Sequence, residues 1–401
     1  MKISLANPFG AYVIASVAIT MMYALGFSDL YPPLSLEMIT FLLISCGASL
    51  VLATVYTLLP YQQPHVEEPL TGPARRDVLI FCAIAGGFVL EFAYSGFVPL
   101  LALASGAVFD YREFGVPTFH VVLLGFNFFY AVYWASQYFE TGKRGFIYLF
   151  FGGVLFGLLI MNRGAIIIAL LSLLFMYFAK NFNVRKALKV LVIMGAVVWL
   201  FGFIGNLRFL SQEVFQEDPI LAIGGANKSF TESGLPNEFF WVYLYATSPL
   251  ANFELTASSM PVSYNSVMEG MVANFVPDFI AKHIVDPTAD AFVRPMLITP
   301  QLTVSTAFAS AYASMGWVGP YLIYLYFVSY TLFLAIFARS SRYRPALMAW
   351  MSAQGTLLFF DNMLVFSGAV GPILIGICLV IRERLQENSP NRRLVATGGQ
   401  Q

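Results

Sequence analysis

Apolar runs dominate this chain, and short polar breaks divide them at intervals that suit membrane-spanning helices. The pattern predicts spans over about Ala11–Phe27, Leu36–Leu59, Val78–Val98 and Phe119–Phe139. Phe146–Phe178 is one apolar stretch, far longer as a helix than a hydrocarbon core of about 30 Å, so it must fold back. Asn162-Arg163-Gly164 is its only break. A seventh span ends near Gly205, and three more cover about Trp317–Ala338, Ala346–Phe360 and Val365–Ile381. Asn206–Ser305 stands apart as the one long polar segment. Within it, Glu238–Thr247 is dense in aromatics and Ser266–Val285 has helical apolar spacing, so each could lie along the outer interface or pack on the bundle as a lid. Thr303–Ser314 is small and semi-polar and suits a helix dipping into the outer leaflet.

Composition agrees with the pattern. Of 401 residues, 58% are hydrophobic and 11% charged, and the mean hydropathy is +0.73. Such values fit an all-α polytopic membrane protein of about ten spans with one large, mostly helical outward loop. Three regions follow: residues 1–205 as an N-terminal bundle, 206–305 as the loop, and 306–401 as the C-terminal spans with a tail. No inverted repeat is legible. Cys46, Cys82 and Cys378 are scattered through apolar runs, which excludes a disulfide frame or a zinc site.

Charge placement orients the chain. With ten spans both termini share a side, and 16 of the 22 Lys and Arg fall there, so the termini are expected in the cytoplasm. The outward segment carries ten acids against Arg208, Lys228, Lys282 and Arg294, which excludes a nucleic-acid surface.

Some charges lie where lipid makes them costly. Arg163 sits about 25 Å up its helix, at the outer boundary, and Arg208 follows the seventh span at similar depth. Glu91, His120 and Asp361 reach the same level, while the inner half of the bundle is nearly bare. Transporters place polar groups near the midplane, so this pattern points to chemistry at the outer interface. Guanidinium forks there suit a lipid-linked phosphate, which they bind bidentately and stabilise as a leaving group. Arg294 is a third candidate of this kind.

Several motifs carry a resemblance: Asn162-Arg163-Gly164 at an outward hairpin, and Gly205-Asn206-Leu207-Arg208 opening the loop. Further on come Tyr243-x-Tyr245-x3-Pro249-x2-Asn252-Phe253, then Thr306-Ala307-Phe308 with Tyr312 and Gly316. Over its C-terminal two thirds the chain resembles the bacterial O-antigen or oligosaccharide repeat-unit polymerases of the Wzy type. The resemblance implies a GT-C-like membrane glycosyltransferase of the bacterial inner membrane with a periplasmic loop. It would join undecaprenyl-pyrophosphate-linked oligosaccharides, without cofactor or metal, among membrane lipids and beside chain-length regulator and flippase partners. Arg163, Arg208, Arg294 and Tyr312 would then bind pyrophosphate, and Trp241, Tyr243 and Tyr245 would face sugars. His283, Glu254 and Asp290 are the candidates for the base that takes the acceptor proton. Met315 stands where many relatives carry an acid. An O-antigen ligase would need the same residues, and a lipid-linked glycan flippase is the non-enzymatic alternative.

Overall fold

The computed structural model describes residues 7–58, 72–105, 114–181, 183, 185, 219–262, 267–285 and 294–387. These are helical throughout, joined by turns, with one isolated bridge between Ser28 and Ala226. In chain order the helices are α1 Pro8–Tyr23, α2 Leu36–Leu58, α3 Arg75–Ser95, α4 Pro99–Ala104, α5 Phe119–Thr141, α6 Arg144–Leu159 and α7 Arg163–Asn181. After the undescribed stretch follow α8 Pro219–Ile223, α9 Lys228–Thr231, α10 Phe239–Ser259, α11 Val267–Phe275 and α12 Asp278–Ala281. The chain closes with α13 Ala307–Met315, α14 Val318–Phe337, α15 Arg344–Leu357 and α16 Ser367–Glu387.

Five of the described helices, α2, α3, α5, α7 and α14, are long and apolar enough to cross a membrane, and α1 and α6 are shorter apolar helices. The chain is therefore a membrane-embedded helical protein. The expected seventh span lies outside the described residues. The ninth, α15, keeps about its expected bounds with 14 residues, but neither it nor α16 is among the helices long and apolar enough to cross a membrane. The tenth, α16, keeps the expected place but contains Pro372 and runs on through Arg382 and Arg384.

The long apolar stretch does fold back where its break stands. Helix α6 ends at Leu159, Met161 takes a left-handed φ of 60°, and Asn162 Oδ1 accepts the Ala165 N–H at 3.2 Å to cap α7. At the start of the chain Asn7 works similarly: its Oδ1 accepts the N–H groups of Phe9 and Gly10, while its Nδ2 donates to Ala53 O of α2 at 2.8 Å.

The central packing joins α5 to α6 and α16, α1 to α15, and α15 to α7. Helices α5 and α16 approach at Gly125 and Gly371, where a methyl on Gly125 would meet the Gly371 carbonyl carbon at 3.1 Å. Small residues permit such contact where lipid supplies no hydrophobic drive between helices. Near Pro372, which removes a helical donor, Ala369 O accepts Trp350 Nε1 at 2.8 Å and Gln354 Nε2 at 3.0 Å from α15. One continuous core reaches from Phe9 to Val380 and includes Leu250, Ala251 and Phe253, so α10 of the polar segment belongs to the same packed body as the spans.

The two ends of this body differ. At one end Trp134 Nε1 donates to Asp77 at 3.2 Å, the Lys180 ammonium donates to Phe139 O, and the Arg384 guanidinium donates to Phe337 O. The rings of Tyr133 and Tyr343 meet there at 5.1 Å, and Arg342 pairs with Glu383. Arg75, Arg76, Lys143, Arg144, Arg339 and Arg344 occupy the adjoining helix termini. The opposite end is built from the α6–α7 hairpin, α11 to α13 and the turn between α15 and α16.

Candidate functional site: a polar cavity at the cation-poor end

Helix α11 carries Gly270 and Asn274 one turn apart, and α13 carries Ser310 and Ser314 at the same spacing, so the two pairs can meet along one seam. They do meet. The Ser310 hydroxyl donates to Asn274 Oδ1, and Asn274 Nδ2 donates to its own helix at Gly270 O, 2.8 Å away. The seam is close enough that Gly270 has no room for a side chain beside Ser314. The turn after α15 closes the third side: Asn362 Nδ2 donates to Asn274 O at 3.0 Å, and the Asp278 N–H donates to Val365 O at 2.9 Å. The Ser367 hydroxyl donates to the Asp278 carboxylate.

These elements enclose a cavity of about 450 Å³. Polar groups of Glu269, Asn274, Asp278, Arg294, Ser310 and Asp361 line it, and Phe366 is the one aromatic ring among the described lining residues. Its volume lies within the roughly 300–1,000 Å³ of small-molecule sites. The Asp361 side chain is exposed where it lines the cavity, although protein packs close around its carboxyl. That enclosure raises its carboxyl above the usual carboxylate range, while the Asn362 N–H, 2.7 Å from Oδ1, pulls it the other way.

The residues expected from sequence fall in different places. Arg294 lines the cavity. Arg163 is exposed at the first position of α7, one residue from Gly164, whose added methyl would lie 3.1 Å from the Phe366 ring; it thus starts beside the cavity wall. Arg208 and Asp290 lie outside the described residues. Tyr312 is corrected: it is buried against Phe253 and Trp317 and donates its hydroxyl proton to Ala257 O at 2.9 Å, which commits it to α10 rather than to a phosphate.

Trp241 and Tyr243 are corrected likewise. Both sit in a small core with Ile220, Phe230, Phe240, Leu244 and Leu302. Tyr243 is stacked on Tyr31 at 5.5 Å and accepts the Phe27 N–H at 3.2 Å, so its ring has no free face for a sugar. Helix α10 is therefore packed on the bundle, because its aromatics find partners in the α1–α2 connection. Tyr245 remains exposed, 5.4 Å from the Trp241 ring.

Among the three expected bases, His283 is exposed on the turn after α12 and does not line the cavity. Glu254 is 1% exposed and accepts the Ser35 hydroxyl at 3.1 Å. Burial raises its carboxyl, the Ser35 hydroxyl and amide lower it, and Glu37 adds to the rise. It does not line the cavity. The sequence places Asp361 at the outer level and Glu269 and Asp278 among the acids of the outward segment without assigning them a role, and nothing in it singles out Asn274 or Asn362 on its own. The one available signal was Asp361-Asn362 directly after an apolar run.

A second buried pair lies between α3 and α5. Glu91 is fully buried, and its Oε2 lies 2.8 Å from His120 Nδ1. Phe114 packs edge-on to the imidazole at 5.5 Å. No group of three or more metal-ligating side chains occurs among the described residues. Comparison with family models, curated proteins and solved structures returns no match.

Proposed function

We propose that this chain is a membrane glycosyltransferase that extends polyprenyl-pyrophosphate-linked oligosaccharide repeat units at the periplasmic face of the bacterial inner membrane. One observation carries the reading: a polar cavity at the end of the bundle away from the cations brings a guanidinium, Arg294, and a carboxyl held above its usual range, Asp361, to one lining. On the positive-inside rule the cation-rich end is cytoplasmic, which leaves the cavity facing outward. Ten spans with both termini in the cytoplasm complete this topology.

The reaction needs little else. An acceptor sugar hydroxyl attacks the anomeric carbon of the donor glycan, forming the new C–O bond as the bond to pyrophosphate breaks. The electron pair leaves with the pyrophosphate, whose growing charge Arg294 stabilises, and Arg163 and Arg208 are the further cations for it. The hydroxyl proton passes to Asp361, whose raised affinity for a proton suits a general base. Asp361 takes the role for which the sequence offered His283, Glu254 and Asp290.

The purified chain given lipid-linked repeat units should lengthen the glycan and release polyprenyl pyrophosphate. R294A and D361N should each lower the rate at least about a hundredfold, the scale of losing an oxyanion donor or a general base. Transfer onto lipid A core instead would make the chain a ligase. Loss of no activity in either variant would overturn the site.

A further inference from the structure

The lining of the cavity has a charge balance that its guanidinium does not explain. Among the described residues that line it, three carboxyl groups, from Glu269, Asp278 and Asp361, accompany one cation, Arg294. Even with Asp361 protonated, two carboxylates outnumber the guanidinium. Ionised carboxylates only accept hydrogen bonds, so the four oxygens of Glu269 and Asp278 make a poor bed for a pyrophosphate, whose own oxygens are acceptors. A site dedicated to pyrophosphate would gather cations instead.

Sugar rings present the complementary chemistry. Adjacent hydroxyls donate to carboxylates and accept from amides and hydroxyls, and the ring's C–H face packs on an aromatic. The cavity offers both sides of that match. Its frame is held by the Asn274, Ser310 and Asn362 hydrogen bonds, and Phe366 supplies a half-buried ring. A volume of about 450 Å³ has room for a sugar unit but not for a whole polyprenyl-linked chain.

We propose that this cavity holds the sugar portion of the substrate, and that its excess of carboxyl groups admits neutral and amino-bearing rings while turning away uronates and other acidic rings. The lipid linkage of that sugar rests on the glycosyltransferase reading above, whereas sugar binding and charge selection rest on the cavity. Arg294 is the cation among the described lining residues, so the pyrophosphate would meet the lining there, with Arg163 beside the wall.

The test is direct binding to the full chain in detergent, followed by saturation-transfer NMR with three matched probes: methyl glucoside, methyl glucuronide and methyl 2-amino-2-deoxyglucoside. At low ionic strength the glucuronide should bind at least about tenfold more weakly than the other two, since like charges brought together are strongly disfavoured. The gap should narrow in E269Q, which keeps the Asp278–Ser367 bond, and fall within about threefold in E269Q/D278N. Equal or tighter binding of the glucuronide, an unchanged gap in both variants, or no saturation transfer from any probe at millimolar concentration would overturn the proposal. Equal binding of all three alongside chain extension would leave the glycosyltransferase reading standing. Charge-selected binding without transfer of any lipid-linked unit would do the reverse.

Discussion

Adding one methyl group at Gly270 tests whether the seam between α11 and α13 shapes the cavity. An alanine Cβ there would overlap Ser314 Cβ and Oγ by more than about 1 Å relative to the ~3.5–4.0 Å of touching carbons. Rotating the serine moves Oγ but leaves its Cβ, which is fixed to the helix, so α11 and α13 must separate. Overpacking of this kind costs about 1–3 kcal/mol, and it pulls Asn274 away from Ser310 and Asn362. The same geometry contains its own repair. Ser314 Cα would lie 3.9 Å from the new methyl, an ordinary contact, so G270A/S314G removes the overlap. The double variant should return close to the parent's stability, because the glycine removed from α11 offsets the one placed in α13, each worth up to ~1 kcal/mol in a helix interior. Thermal unfolding in detergent reads the stability, and chain extension reads the cavity. A G270A protein as stable and active as the parent, or a double variant no better than G270A, would refute the reasoning.

Three further expectations are independent of that seam. Asp361 acts as a base only when ionised, so the rate should fall as pH drops through its raised value, and D361N should be slow at every pH without that acid limb; a limb unchanged in D361N assigns the titration elsewhere. The folded chain holds that proton more tightly than the unfolded one, so its contribution to stability is present at acid pH and lost as pH rises through the raised value. H120A leaves the fully buried Glu91 without its hydrogen-bond partner and should destabilise the chain by about 1–3 kcal/mol in chemical denaturation, while H120A/E91Q recovers part of the loss. Replacing Arg163 or Arg208 by alanine should abolish extension at normal protein levels; full activity in either variant removes that arginine from pyrophosphate binding.

Much of the bundle was legible because burial in lipid leaves a simple mark. The starts of α2 and α5 fall where the apolar runs predict, and the α6–α7 reversal falls at the one break in 33 apolar residues because no single helix of that length fits the bilayer. The cavity was less legible, for a physical reason. Asn274 and Asn362 are 88 residues apart, and Asn252 Nδ2 reaches Leu302 O across 50, so the partners that define each polar group are invisible locally. Aromatic clusters misled in the same way. The sequence left the Trp241–Tyr243 stretch open between the outer interface and a lid packed on the bundle; Phe27 and Tyr31, some 210 residues earlier, cover Tyr243 and decide for packing. Arg163 stood out early because a cation at the outer boundary is costly wherever its partners lie, whereas Arg294 was legible only as one of four cations in the outward segment.

The most direct measurement is a gel of surface and lipid-linked glycans from a strain lacking this gene, with and without a complementing copy. Extension of repeat units predicts a lipid A core bearing a single unit, with long chains restored by the parent gene and not by R294A. A bare core with long polyprenyl-linked chains accumulating, or glycans unchanged by the deletion, would contradict it.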